Sequence, residues 1–135
     1  MNRSNMIQDA RRFHPGWRLW FVLLQIVNLV SPLFFLGHAE AWAVLAGYLI
    51  AAVVMVPLHR RFGWVRLLGV SHFSWFVILP WLAFRYSVTA PTGAFGIWLL
   101  AVIIVDGICL IIDIVDLARY LSGDRQPIVA AGRQV

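Results

Sequence analysis

Three carboxylates, Asp106, Asp113 and Asp116, interrupt the apolar run FGIWLLAVIIVDGICLIIDIVDLA at positions 95–118. An acid in a low dielectric keeps its proton, finds a hydrogen-bonding or charged partner, or holds a cation. Asp106 and Asp113 are seven residues apart, so a helix places them on one face with Cys109 beside them. Asp116 lies one turn further along and is rotated off that line, with Arg119 a turn beyond it. The spacing predicts an ion pair of Asp116 with Arg119 and a line of two acids whose chemistry suits protons or small cations.

Partners for those acids follow from the rise of a helix. Let 17–36 and 67–86 run outward and 95–118 run inward. At 1.5 Å per residue, Asp106 then lies about 18 Å from the cytoplasmic surface and Asn28 about 16 Å, with Gln25 one turn shallower. Asp113 and His72 both lie about 7 to 8 Å deep. We therefore expect Asp106 to pair with Asn28, or with Gln25, and Asp113 with His72. The plainer role for Asn28 and Gln25 is to glue helices together.

Other chemistries lack their signatures. Among His14, His38, His59 and His72 no two sit at ligand spacing on one helix. His59 and His72 could meet across the loop between them and form a weak metal site with Asp113 or Asp116, but the expectation is no metal and no cofactor, haem included. The sequence contains no G-x-S-x-G, H-E-x-x-H or C-x-x-C motif and no glycine-rich phosphate loop. Ser71 and His72 are neighbours on one helix and do not face each other. We expect no enzyme. Cys109 is the single cysteine, which excludes a disulfide framework, and it reads as a small packing residue.

The elements that carry these groups are set by hydropathy. Hydrophobic residues make up 61 % of the 135-residue chain, against about 45–50 % in soluble domains, and the mean hydropathy is +0.82. A soluble core of this size cannot hide that much apolar surface. The fifteen Phe, Ile, Leu and Val residues of 95–118 favour insertion by about 5 to 9 kcal/mol, while a central carboxylate costs about 2.5 to 3.5 kcal/mol. That helix inserts with its acids. Twenty residues at 17–36 span about 30 Å, the thickness of the hydrocarbon core. Ala39-Glu40-Ala41 has the form of a leader cleavage site, yet the apolar run before it is too long for a leader, so an uncleaved span is expected.

Two further runs complete the set. Span 39–58 carries Ala39, Ala43, Gly47 and Ala51 every four residues, a stripe that admits a close neighbouring helix backbone. Pro57 is expected to close it. Span 67–86 is expected to kink at Pro80, and Gly123 to stop the last helix. Residues 1–16 form either a short helix lying on an anionic membrane surface or a basic tail. Residues 122–135 read as a loose cytoplasmic tail.

The net charge of +5 rests on eleven Arg and no Lys. Ten of those Arg flank one side of the spans, and Arg85 alone flanks the other. This asymmetry places both termini in the cytoplasm and gives no reason to expect a nucleic-acid partner. The expected fold is all-α: a four-helix membrane bundle, antiparallel, with spans at about 17–36, 39–58, 67–86 and 95–118 within a domain at 17–121. The look is similar to small four-span proteins of the bacterial inner membrane, and that is the expected location. The lipid bilayer is the expected partner. Since one bundle is expected to have little interior room, a transport path implies a homo-oligomer. The functional expectation is an oligomeric channel or transporter for protons or small cations using Asp106, Asp113, His72, Asn28 and Gln25. The alternative is an accessory subunit of a larger membrane complex whose polar seam only specifies packing.

Overall fold

The computed structural model describes Arg11 and residues 13–126, so most of the arm read at 1–16 and the tail beyond 126 lie outside the described residues. Those residues are mostly helical, and no strand occurs among them. Helix α1 (Pro15–Gln25) continues through a π turn (Ile26–Val30) and a 3-10 turn (Ser31–Phe34). Helix α2 (Ala39–Phe62) follows, then a 3-10 segment (Arg66–His72), α3 (Trp75–Thr89) and α4 (Gly93–Leu121). Three stretches, Pro15–Phe34, Ala39–Phe62 and Gly93–Leu121, are long and apolar enough to cross a membrane. A fourth joins Arg66–His72 to α3 across a 50° bend. Leu19, Val53, Val77 and Ile97 are 71–75 % exposed, an outward apolar surface that suits lipid better than water.

Local chemistry explains the breaks. Pro15 opens α1 at a position whose N–H would be unpaired anyway, and His14 Nδ1 accepts from the Gly16 N–H at 3.1 Å. Pro32 follows the π turn and leaves one of its carbonyls without a backbone donor. The Ser31 N–H bonds to the Ile26 carbonyl, so the next donor in line for the Val27 carbonyl would be Pro32, which has none. Trp98 of α4 fills the vacancy: its indole Nε1–H donates to the Val27 carbonyl at 3.0 Å. Trp98→Phe would leave that buried carbonyl unpaired. We expect a loss of about 1 to 3 kcal/mol, read as a lowered unfolding midpoint in detergent, and an unchanged midpoint would show that the Val27 carbonyl has found another donor.

Several expected boundaries are corrected. Pro57 does not close α2, which runs five residues further to Phe62 and stops at Gly63 with φ +71°, where the Gly63 N–H bonds the His59 carbonyl at 2.8 Å. An internal proline forfeits one hydrogen bond without ending an otherwise well-packed helix. The bend of 67–86 falls before Trp75 rather than at Pro80, which lies inside α3. Gly123 adopts φ +109° just past the end of α4, where its freedom from a Cβ penalty is needed.

The core is formed by Val27, Ala41, Val44, Trp75, Leu82, Trp98, Leu99, Val102 and Leu110. Leu99, Val102, Asp106 and Leu110 make one stripe of α4, so the acid shares the most buried face of its helix. On α2 the close crossing centres on Gly47, where a Cβ would lie 2.8 Å from Ile78 Cδ1 and 3.0 Å from Trp75 Cε2. Ala51 is buried with it and Ala43 half-buried, but Ala39 is exposed. The buried line at that end passes through Glu40 and Ala41 instead, so the small-residue stripe serves packing within the chain only over its inner half.

Candidate functional site

The site is built where α1, α2 and α4 face one another. Asn28 sits in the π turn and Asp106 at the middle of α4; they are 4 % and 6 % exposed. The Asn28 Nδ2–H donates to Asp106 Oδ1 at 3.0 Å. Gln25 does not take that place. A π turn holds more residues per turn than an α-helix, so positions 25 and 28 diverge around the axis. Gln25 instead accepts a hydrogen bond from the Tyr48 hydroxyl of α2.

The second pair lies two turns along α4. His72 Nδ1 and Asp113 Oδ2 are hydrogen-bonded at 2.7 Å, and Cys109 Sγ is 3.8 Å from the same oxygen. Here the 3-10 winding matters. At three residues per turn, Arg66, Gly69 and His72 fall on one line facing α4. Gly69 permits the approach, since a Cβ there would lie 3.1 Å from the Asp113 Cβ and Oδ1. A seven-residue 3-10 run is unusual, and no hydropathy pattern distinguishes it from an α-helix.

The third layer corrects an expected pair. Asp116 bonds not Arg119 but Arg66, whose Nη1 lies 2.6 Å from Asp116 Oδ1 and whose Nε lies 3.1 Å from Asp124 Oδ2. Arg119 pairs with Asp124 at 3.0 Å. The turn after α4 brings Asp124 back, with its N–H on the Arg119 carbonyl, and the guanidinium fork of Arg66 spans both carboxylates. A fourth pair was missed from the sequence. Glu40, its side chain 3 % exposed, accepts from Arg85 Nε at 2.7 Å, tying the start of α2 to the end of α3. The signal was present: Glu40 and Arg85 are the only formal charges between residues 19 and 59, and 67 and 105, respectively.

A cavity of about 670 Å³ opens beside these layers. Asn28, Asp106, His72 and Cys109 border its inner wall, and Gln25 with Tyr48 borders the side between α1 and α2. Arg11 and Arg18 reach it near Trp64, which meets Phe13 at 5.2 Å, Phe21 at 5.7 Å and His59 at 5.4 Å between ring centroids. This space lies within one copy and opens at its surface, which is more room than a close-packed bundle was expected to leave. Asp106 Oδ2 and Asn28 Oδ1 are both fully buried, and neither has a hydrogen-bond donor among the described residues. His59, expected as a possible companion of His72, is buried against Trp64 and is not among the residues within ligand reach of His72.

No protein-family model, curated protein or solved structure matches this chain.

Proposed function

We propose that this chain is a non-enzymatic, multi-pass protein of the bacterial inner membrane that moves protons or small cations along the acids of α4. In this reading the bent Arg66–His72 and Trp75–Thr89 pair forms one span, the spans form an antiparallel four-helix bundle, and both termini face the cytoplasm. The reading rests on one observation. Two buried acceptors, Asp106 Oδ2 and Asn28 Oδ1, lack donors among the described residues, and the residues that carry them line a cavity of about 670 Å³. Acceptors so placed favour an incoming proton or cation, because an uncompensated buried acceptor costs about 1 to 3 kcal/mol or more. The His72 and Asp113 pair lies on the same face toward the cytoplasmic end and can pass a proton between ring and carboxylate. The cavity gives each copy its own site, and assembly of copies is a separate proposal that native mass measurement in detergent decides.

The test is purified protein in sealed vesicles with an imposed pH gradient, followed by an internal pH dye, and with an imposed monovalent-cation gradient in parallel. Wild-type protein is expected to dissipate at least one gradient faster than empty vesicles. No acceleration of either would overturn the transport reading and leave the polar seam as a packing device of an accessory subunit.

A further inference from the structure

Beside the central acid, three side chains of metal-binding type converge. His72, Cys109 and Asp113 each offer one ligand atom, and these atoms lie within 4.8 Å of one another. Helical spacing sets Cys109 beside Asp113, and equal depth pairs Asp113 with His72, but the sequence reads the cysteine as packing and offers His59 as the companion of His72. Their geometry is close to what an ion requires. Tetrahedral zinc with bonds of about 2.0 to 2.3 Å holds its ligands about 3.3 to 3.8 Å apart. Two of the separations here, 2.7 Å for His72 Nδ1 to Asp113 Oδ2 and 3.8 Å for Cys109 Sγ to the same oxygen, bracket that range. Small side-chain rotations close the rest.

Charge and access point the same way. A thiolate, a carboxylate and a neutral imidazole sum to minus two, which a divalent cation cancels. Neutrality matters more here than at a water-exposed surface, since unpaired charge at membrane depth is costly. Nitrogen and sulfur donors select a borderline or soft transition ion over magnesium or calcium. Three protein ligands leave a fourth position open. His72 and Cys109 both border the cavity, so that position has a path for water or ion, and the side chain of Asp106, with Oδ2 unpartnered, borders the same space one turn away from Cys109. Gly69 holds the Arg66–His72 segment against Asp113, fixing two ligands relative to each other.

We propose that His72, Cys109 and Asp113 form a binding site for a divalent transition-metal ion of the zinc type. Binding replaces the proton of the His72–Asp113 hydrogen bond and the thiol proton of Cys109 with metal–ligand bonds, and both protons leave to solvent. The site deepens the transport reading by naming the cation class, and it also stands as a binding site if nothing crosses.

The test uses the purified full chain in detergent. Co²⁺ titration is expected to saturate at one ion per chain with a near-ultraviolet thiolate-to-cobalt charge-transfer band, which Zn²⁺ then displaces and Mg²⁺ does not. Cys109→Ser is expected to abolish the band. His72→Gln and Asp113→Asn are each expected to weaken Zn²⁺ binding at least about tenfold, as loss of even an outer-shell partner commonly does. In wild-type protein, which needs no mutant to fold, Zn²⁺ is expected to slow maleimide labelling of Cys109, because a thiolate bound to the ion is not free to attack. Absence of the charge-transfer band in folded wild type, or unchanged labelling under Zn²⁺, would overturn the site. Protein that binds Co²⁺ through Cys109 yet passes no cation in vesicles keeps the site and removes only the transport reading. Protein that passes protons but gives no band does the reverse.

Discussion

Asp106→Asn is expected to lower proton or cation flux through reconstituted vesicles at least about tenfold, toward the level of a missing general acid or base, which commonly contributes two or more orders of magnitude to a proton transfer. The substitution is chosen because it spares the fold. An amide at position 106 still offers an oxygen to the Asn28 Nδ2–H, now at 3.0 Å from the carboxylate, and its N–H₂ replaces an oxygen that had no donor among the described residues. Packing along Leu99, Val102 and Leu110 is unchanged in volume. What the variant removes is the ability to ionise or to take up a proton. Unchanged melting with lost flux assigns the acid a part in transport. Unchanged flux removes the central acid from the mechanism, whatever the lower pair does.

The second large effect concerns stability at the opposite end of the molecule. Arg85→Met is expected to destabilise the protein by about 2 to 3 kcal/mol, less than the 3 to 5 typical of a broken fully buried pair because Arg85 itself is partly solvated. Glu40 carries the cost. Its side chain is 3 % exposed, and Arg85 Nε at 2.7 Å is the cation that compensates it. Arg85 also lies over the Trp81 ring at 5.9 Å, so its removal uncovers an aromatic face as well. The double variant Glu40→Gln with Arg85→Met should regain most of the loss, since neither buried charge nor orphaned cation remains. Thermal unfolding of the single and double variants in one detergent checks this. A single variant that melts with wild type would show that Glu40 holds its place as a neutral acid.

The apolar segments and the acids within them were legible before any coordinates, because length, hydropathy and charge are local properties. So were the pairings of Asp106 with Asn28 and of Asp113 with His72, since helix rise converts residue number to height, and groups of equal height lie within reach when the helices pack together. Arg119 was assigned to Asp116 by the same helical spacing, and there the inference failed. Arg66, in a segment wound at three residues per turn, reaches further with a planar fork than Arg119 does along its own helix.

What the sequence by itself determined is a helical chain with enough apolar length to cross a membrane and with polar side chains it cannot leave in lipid. Only the tertiary structure decided how those side chains meet. A missing N–H at Pro32 leaves the Val27 carbonyl of the π turn to Trp98, and that turn presents Asn28 to Asp106 and Gln25 to Tyr48. A missing Cβ at Gly69 let a 3-10 segment press His72 onto Asp113 beside Cys109. Both are absences of atoms, which hydropathy does not register and which acquire meaning only when a neighbouring helix arrives.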